Sequence, residues 1–484
     1  MEGIGSMWIE SEKCIGEGRC EECGRCSRYG STNRKTKLIF FPDSFQMKAE
    51  GAETAGQERY GAAFDIGTTT VVGMLWDLSE LRLIDVIALT NPQSAYGADV
   101  ISRITYSMRS PENLVLLRDK IRGCLNEILK EFALRHPIDL QNIVKATVVG
   151  NTTMSHLFLG KDPSSLARAP FHPAFHGPVK MSAEELGLMM KSSADVHLLP
   201  NIAGHVGSDI VGVLLASEIK KLPGVRLAID IGTNGEVVLA HNGRIMVCST
   251  AAGPAFEGAR IYQGMRAAPG SIEGDVIEAG EVRIKVIDDS EPVGICGSGL
   301  IDAVAQMLDA GLISHKGNIL SAEDAAAQGL SPGLAVRLRK GRSGNEFVLA
   351  WKEQGEDIVI TQKDIREVQL AKGAIYGGIV VLMKCLGVET GQLEEVMLAG
   401  AFGSYIKKRS ILRIGMIPGV GEDKIKHIGN AAGVGACMAL LSEEEMKQAD
   451  MQAKEAEHIE LALHPDFERE YINAMYFPQG YCNS

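Results

Sequence analysis

The chain has 484 residues, 45% of them hydrophobic, which is enough to bury more than one core, so two or three domains are expected. Its 61 acidic residues outnumber its 49 basic residues and give a net charge of −12 with no long basic stretch, which argues against nucleic acid as a partner. The first residues lack the charged-then-apolar order of a signal peptide, and no apolar stretch approaches the ~20 residues of a membrane span. We therefore expect a cytoplasmic protein without a membrane partner, in which cysteines are free thiols or metal ligands.

Residues 1–42 are expected to form a small unit that needs a metal to fold, because they contain few apolar residues. Four cysteines lie close together in this unit, at spacings of x5, x2 and x2: Cys14, Cys20, Cys23 and Cys26. Overlapping C-x2-C steps are typical of a compact iron–sulfur cluster, whereas structural zinc sites usually separate two C-x2-C pairs by a dozen or more residues. We favour [4Fe–4S], with [2Fe–2S] and zinc as the alternatives. Residues 43–59 are small and polar and are predicted to be a linker.

The segment FDIGTTTVVG (64–73) predicts two strands joined by a tight turn. Backbone N–H groups in such a turn can approach phosphate oxygens, and Asp65 is placed to hold the accompanying cation through water or to orient an attacking water. The turn residues Gly67, Thr68 and Thr69 are therefore candidate nucleotide-binding residues. An amphipathic helix is expected over residues 112–134, and residues 143–160 predict a strand, a Gly-Asn turn and a helix start.

A second hairpin of the same kind is predicted by IDIGTNGEVVL (229–239), with Asp230 in the place of Asp65. The segment LEEVMLAGAFGSYI (393–406) then repeats the strand, glycine turn and helix start, at a position expected to reach adenosine. Glycine turns at 253–258 and 294–302 are suited to phosphate or ribose contacts. The candidate nucleotide-binding residues of this part are Gly232, Thr233, Asn234, Gly253, Glu257, Gly400, Ala401, Phe402 and Gly403.

The order of hairpin and then strand-glycine-helix thus occurs twice, which favours two related α/β halves that close around one nucleotide. We place the first half at 60–222 and the second at 223–484, with an insertion near 313–358. Each motif alone has an ordinary structural explanation, since aspartate often caps a turn and glycine often allows close helix–strand packing. The repetition is what favours nucleotide binding.

Outside the N-terminal cluster, cysteines and histidines do not form metal-binding spacings. The isolated cysteines are expected to be core residues: Cys124, Cys248, Cys296, Cys385 and Cys437. The histidines are expected to be solvated or to cap backbone groups: His156, His172, His176, His197 and His205.

Eight motifs over residues 61–480 resemble one known family. They are NPQSAYGADVISRI (91–104), VVGNTTMSHLFLG (148–160), LPNIAGHVGSDIVG (199–212), AIDIGTNGEVVL (228–239), STAAGPAFEGARI (249–261), GICGSGLIDA (294–303), LAGAFGSYI (398–406) and GNAAGVGA (429–436). As an ordered set they resemble the reductive activators of corrinoid-dependent enzymes, which are iron–sulfur ATPases of the acetate and sugar kinase/Hsp70/actin superfamily. The N-terminus departs from that pattern, because better known members have C-x5-C-x2-C and a distant fourth cysteine, whereas Cys26 follows Cys23 closely here.

The resemblance implies an α/β fold, specifically a duplicated actin-like/Hsp70-like ATPase fold with a small N-terminal iron–sulfur-binding unit. It implies ATP-dependent transfer of a low-potential electron from the cluster to Co(II) of a corrinoid protein, which regenerates Co(I). The implied cofactors are ATP, Mg²⁺ and the iron–sulfur cluster. The implied partners are the corrinoid protein of a methyltransferase system and an electron donor such as ferredoxin or flavodoxin, and a homodimer is compatible with it. Two alternatives stay open: a small-molecule kinase of the same superfamily, and a nucleotide-dependent metal-sensing or scaffold protein.

Overall fold

The computed structural model describes residues 41–42, 45, 59–278, 280–400, 403 and 406–479. Its strands, in chain order, are β1 (Tyr60–Ile66), β2 (Thr70–Asp77), β3 (Arg82–Thr90), β4 (Ile143–Gly150), β5 (Val179–Ser182), β6 (Asp195–Leu198), β7 (Val225–Ile231), β8 (Gly235–His241), β9 (Arg244–Thr250), β10 (Ser271–Glu278), β11 (Glu281–Val286), β12 (Gly294–Ile295), β13 (Leu338–Gly341), β14 (Gly344–Ala350), β15 (Ile358–Thr361), β16 (Leu393–Ala399), β17 (Ile425–Gly429) and β18 (Glu457–His458). Its α-helices are α1 (Val100–Ser107), α2 (Pro111–Arg135), α3 (Thr152–Leu159), α4 (Ala183–Leu186), α5 (Ser208–Ser217), α6 (Gly297–Asp309), α7 (Ala322–Ala327), α8 (Pro332–Ala335), α9 (Gln362–Leu386), α10 (Lys408–Ile414), α11 (Ala431–Leu441), α12 (Glu443–Glu455) and α13 (Phe467–Ala474).

The described residues form two compact units. Unit 1 contains those up to Leu222 together with Gly243–Ile245 and Ile428–His458, and unit 2 contains Pro223–Asn242, Met246–His427 and the residues from Ile459 onward. Helices α11 and α12 therefore belong to unit 1, although they come late in the chain. The boundaries predicted at residues 42, 59 and 222 stay a prediction.

Unit 1 is a three-layer α/β structure around a six-stranded sheet of order β3-β2-β1-β4-β6-β5. Strand β1 is buried almost throughout, as expected for a strand covered on both faces. Helix α2 begins at Pro111 and buries residues spaced one helical turn apart on one face of the sheet. Helix α11 covers the other face, where the hydroxyl of Thr147 in β4 donates to the carbonyl of Ala436 at 2.7 Å.

Unit 2 contains part of a second sheet, in which the strand order is β17-β16-β7-β8-β9. Helix α9 packs on β8 and on α13, and two three-stranded sheets of order β11-β10-β12 and β13-β14-β15 complete the unit. The residues near 313–358 form the short helices α7 and α8 and most of the second small sheet. This agrees with the mixed helix and strand content expected there.

The two large sheets share one topology. In each, three consecutive antiparallel strands are followed by a strand that returns from further along the chain, parallel to the first: β4 beside β1, and β16 beside β7. Strands β1 to β4 thus correspond to β7, β8, β9 and β16. The predicted α/β fold with two related halves is confirmed.

One described helix, α9, is long and apolar enough by length and composition to span a membrane, which the sequence reading did not single out. Within unit 2, 72% of the apolar stretch of this helix is buried, so it has the surroundings of a core helix. Among the predicted core cysteines, Cys385 is only partly buried, whereas Cys124, Cys248, Cys296 and Cys437 are buried.

Of the two roles expected for His156, solvation or capping of backbone groups, the structure shows the second. The ring is fully buried, its Nδ1 lies 2.7 Å from the carbonyl oxygen of Thr152, and its Nε2 accepts a hydrogen bond from the amide of Ala174. These two contacts satisfy both ring nitrogens of a neutral imidazole, and burial lowers the pKa of His156. It is therefore a structural core residue.

Candidate nucleotide-binding site

Asp65 lies at the end of β1 in unit 1, where it is largely withdrawn from solvent. Its Oδ2 accepts a hydrogen bond of 2.9 Å from Nδ2 of Asn430, the residue that caps the start of α11. Burial raises the pKa of the Asp65 carboxyl to about 6, although the hydrogen bond from Asn430 opposes this effect. A bound cation would restore the charged form, so the carboxyl is suited to meet one.

The turn that follows Asp65 is held from one side by side chains of unit 1. Asn91 donates from its side-chain Nδ2 to the carbonyl of Gly67 at 2.8 Å and from its backbone N–H to the carbonyl of Thr69 at 2.9 Å. The buried guanidinium of Arg103 donates to the carbonyl of Thr68 at 2.5 Å. Because C=O and N–H of one peptide point in opposite directions, fixing these carbonyls directs the intervening amides to the other side. Such an array of amides is a binding surface for phosphate oxygens.

Asn151 extends this arrangement from the neighbouring strand. Its Nδ2 donates to the hydroxyl oxygen of Thr68 at 2.9 Å, which leaves the hydroxyl proton of Thr68 available as a donor. The backbone amide of the preceding Gly150 donates to the hydroxyl oxygen of Ser208 at 3.0 Å. A Cβ atom at Gly207 would lie 2.5 Å from the Cα of Asn151. Backbone segments from β4 and the start of α5 therefore meet at the turn without room for side chains.

Unit 2 has a related turn after Asp230. It is one residue shorter than the turn in unit 1, since three residues separate the paired Ile231 and Gly235 whereas four separate Ile66 and Val71. The amide of Gly232 donates to the carbonyl of Asn234 at 2.9 Å. Gly400 follows β16 with φ +89°, and a Cβ there would lie 2.7 Å from Oδ1 of Asp230 and 2.8 Å from the carbonyl oxygen of Ile231. Only glycine fits this position.

Gly150 occupies the equivalent place in unit 1, since a Cβ there would lie 2.8 Å from the carbonyl oxygen of Ile66. In both units a glycine at the end of the returning strand thus lies against the carbonyl of the residue after the aspartate. The sequence-level pairing of the two glycine turns, at residues 150 and 400, has this physical basis.

The turn at 253–258 joins the second site. Thr233 donates from its hydroxyl to Oε1 of Glu257 at 3.0 Å. Glu257 ends a short 3₁₀ helix that begins after Gly253, whose φ of +76° again requires glycine. The structure therefore brings Asp230, Thr233, Glu257 and Gly400 together in unit 2.

Glu236 is a further acidic residue of this site that the sequence reading missed. The antiparallel register pairs it directly with Asp230, so the two carboxylates share one face of the sheet. Glu236 is only 7% exposed and accepts a hydrogen bond of 3.1 Å from the hydroxyl of Ser249. The signal lay in the spacing of IDIGTNGEVVL, because a three-residue turn after residue 231 fixes this pairing.

The sequence reading also missed Asn91, Arg103, Asn151 and Asn430, although each lies within one of the motifs noted above. The roles assigned to the predicted site residues stay predictions. Ala401 and Phe402 lie outside the described residues. Gly403 is described, and its carbonyl oxygen lies 2.7 Å from Nδ1 of His427. The cysteines of the predicted cluster also lie outside: Cys14, Cys20, Cys23 and Cys26. Within the part of the chain that is described, His, Cys, Asp and Glu form no group of three suited to a metal ion.

Two family models together match nearly the whole described region. The RACo middle region matches residues 60–222, and the C-terminal domain of RACo, described as the ASKHA domain, matches residues 224–483. The corrinoid activation enzyme RamQ of Eubacterium limosum is 38% identical over 418 residues, which cover 86% of this chain and 70% of that protein. The [Co(II) methylated amine-specific corrinoid protein] reductase of Methanosarcina barkeri is 28% identical over 457 residues, covering 87% and 78% of the two chains.

A solved structure agrees with these matches. It is the reductive activator for corrinoid, iron-sulfur protein, which superposes with a TM-score of 0.78 at 36% identity and covers 88% of this chain and 67% of its own. The resemblance inferred from the eight motifs is thereby confirmed. The chain belongs to the RACo family of reductive activators and carries its ASKHA-type actin-like fold.

Proposed function

We propose that this protein is an ATP-dependent reductive activator, which hydrolyses ATP and transfers one low-potential electron to Co(II) of a corrinoid protein to regenerate Co(I). The observation that carries this proposal is the duplicated Asp-Ile-Gly-Thr motif at equivalent strand ends, in a chain of the RACo family. The relatives named above as a corrinoid activation enzyme and a corrinoid protein reductase support the same activity.

In the nucleotide part, Asp65 and Asp230 would hold Mg²⁺ through water or orient the attacking water. The backbone amides of the turn after Asp65 donate to phosphate oxygens. They face the nucleotide because Asn91 and Arg103 hydrogen-bond the turn carbonyls on the opposite side. Glu236 adds a second carboxylate beside Asp230 that can hold the cation's water or accept a proton from the attacking water. The products are ADP and phosphate.

In the redox part, Cys14, Cys20, Cys23 and Cys26 are thiolate donors of the kind that hold iron–sulfur clusters. Such a cluster, when bound, supplies one electron at low potential, and [4Fe–4S] is the type we favour. One electron converts one Co(II) to Co(I), and an external donor such as ferredoxin or flavodoxin returns one electron to the activator. We place this chemistry in the cytoplasm, where the thiols stay reduced.

ATP can drive the uphill electron step only if its binding or hydrolysis favours one protein conformation over another. The turn amides and the acidic residues bind the nucleotide more tightly in the conformation that can reduce the corrinoid protein. Hydrolysis then removes this preference and resets the protein.

The test is anaerobic reduction of a corrinoid protein trapped as Co(II), with a chemical reductant present and Co(I) followed by its visible spectrum. We expect Co(I) to form only with ATP and Mg²⁺. Asp230→Ala should lower ATP hydrolysis by about two orders of magnitude and lower Co(I) formation with it, because charge positioning dominates phosphoryl transfer. Asp119→Ala, at an exposed helix position, is the matched control and should behave as wild type.

A second measurement separates the redox part from the nucleotide part. Cys23→Ser should remove the iron–sulfur signal in electron paramagnetic resonance and abolish Co(I) formation, while ATP hydrolysis continues. Stoichiometric zinc without iron, or Co(I) formation that ignores nucleotide across several corrinoid proteins, would contradict the proposal. Phosphorylation of a small molecule by protein without a cluster would instead favour the kinase alternative.

A further inference from the structure

Unit 2 contains a cavity of about 700 Å³ that lies between α9, the segment after α10 and the chain that follows α13. Its walls are largely aromatic and aliphatic, and include Tyr376, Leu412, Ile417, Tyr476 and Phe477. Of the described residues that form the candidate nucleotide site, none lines this cavity. The cavity is therefore a separate feature of the unit.

A buried ammonium group lines this cavity. Lys372 lies in the middle of α9 and is 1% exposed. Its Nζ donates to the carbonyl of Tyr476 at 2.6 Å and lies 5.3 Å from the ring centroid of Phe477. Within the described part of the chain, no carboxylate pairs with Lys372, so its charge has no counter-ion there.

The single hydrogen bond leaves two of the three ammonium protons to be directed elsewhere. A buried cation that lacks an opposite charge is costly, and burial accordingly lowers the pKa of Lys372 to about 7. The two remaining protons can donate to an anion in the cavity, and an anion would supply the opposite charge that Lys372 lacks among the described residues.

We propose that this cavity binds a small organic monocarboxylate, with the carboxylate on Nζ of Lys372 and an apolar body against Leu412 and Phe477. The lining favours one negative charge over several, since the other charged groups that line the cavity are the carboxylates of Glu422 and Glu470. Glu470 is already paired with Lys384 at 2.8 Å. A nucleotide polyphosphate would meet repulsion from these carboxylates. The inference does not depend on ATP hydrolysis, so the two can fail separately.

The test is isothermal titration calorimetry of benzoate into the full-length, nucleotide-free protein at pH 7, in two buffers of different ionisation enthalpy. Because the pKa of Lys372 is about 7, the group is half neutral at pH 7, and anion binding should take up about half a proton. Proton uptake should rise at pH 8 and fall at pH 6. Benzamide, which has the same shape without the charge, should bind at least tenfold more weakly.

Lys372→Met should weaken benzoate binding at least tenfold and abolish proton uptake, because it keeps the apolar volume and removes the ammonium. Lys363→Met, an exposed lysine on the same helix, is the matched control and should bind as wild type. Leu412→Trp should fill the cavity and block binding without altering Lys372, which covers the case in which Lys372→Met misfolds.

Three results would overturn the proposal. These are no benzoate binding at millimolar concentration, benzamide binding as tight as benzoate binding, or displacement of benzoate by saturating ADP. The last result would assign the cavity to the nucleotide.

Discussion

The raised pKa of Asp65 has a measurable consequence for stability. The carboxyl titrates near pH 6 in the folded protein, against about 3.8 when unfolded, and burial is the main cause. A shift of about two pH units corresponds to about 3 kcal/mol. Asp65→Asn removes the ionisable group and keeps an oxygen that can accept the hydrogen bond from Asn430. We therefore expect this variant to be more stable than wild type by about 3 kcal/mol where Asp65 is ionised in both states.

The pH dependence follows from the direction of the shift. A carboxyl whose pKa is higher in the folded state than in the unfolded state binds more protons when folded, so it opposes folding as the pH rises. For Asp65 this opposition is fully present above about pH 6 and disappears as the pH falls toward 3.8. The advantage of Asp65→Asn should thus be about 3 kcal/mol at pH 8 and about half of that at pH 5.

Urea unfolding followed by Trp76 fluorescence measures this effect, because Trp76 is fully buried in unit 1. The substitutions Trp8→Phe and Trp351→Phe, made in all variants, would leave Trp76 as the single fluorescent reporter. Asp119→Asn is the matched control, since its carboxylate is 56% exposed and pairs with Arg118 on the surface, so its stability should change little at either pH. Equal stability of Asp65→Asn and wild type at pH 8, or a difference independent of pH, would refute the reasoning. The same variant should lose ATP hydrolysis, as expected of a stability cost retained for function.

Three further predictions concern the two turns. Gly400→Ala should abolish nucleotide binding and cost about 1–3 kcal/mol of stability, because of the positive φ and the close contact with Asp230. Gly387→Ala, with a positive φ in open space, is the control and should leave binding intact. Titration with a fluorescent nucleotide measures the binding, and thermal unfolding measures the stability. Glu236→Gln should lower the hydrolysis rate at least tenfold with little change in nucleotide affinity, measured by phosphate release, and an unchanged rate would exclude Glu236 from catalysis. Arg103→Met should destabilise unit 1 by about 2 kcal/mol and weaken nucleotide binding, because the Thr68 carbonyl loses a buried charged donor; unaltered affinity would show that the turn holds its shape alone.

Local sequence was sufficient to predict the elements that build the site. Both hairpins form where the Asp-Ile-Gly-Thr motifs interrupt apolar runs. Strand β4 ends at Gly150, and Gly400 directly follows β16, as the strand-glycine pattern predicts. These features depend on neighbouring residues, and turn chemistry and strand alternation read such neighbours directly. The amphipathic helix over 112–134 was predictable for the same reason and is observed as Pro111–Arg135.

The residues that brace the first turn could not be predicted in this way. Asn430 lies 365 positions from Asp65 in the chain, and Arg103 lies 35 positions from Thr68. An isolated asparagine or arginine in a glycine-rich motif gives no sign of which carbonyl or carboxylate it will meet, since tertiary packing decides this. Glu236 is an intermediate case, because strand register alone pairs it with Asp230 once the turn length is known.

The two halves have diverged in a way that divides the chemistry between them. Sheet register makes Val72 equivalent to Glu236. The second half therefore has a second carboxylate where the first has valine, and in the first half the side chain of Asn151 donates to the hydroxyl of Thr68 in the turn. Fixed backbone donors favour binding of phosphate whether or not it reacts, whereas added negative charge near the cation and the attacking water favours the reaction itself. Substitutions that loosen the first turn should consequently raise the dissociation constant of the nucleotide, and those that remove charge from the second should lower the rate of hydrolysis.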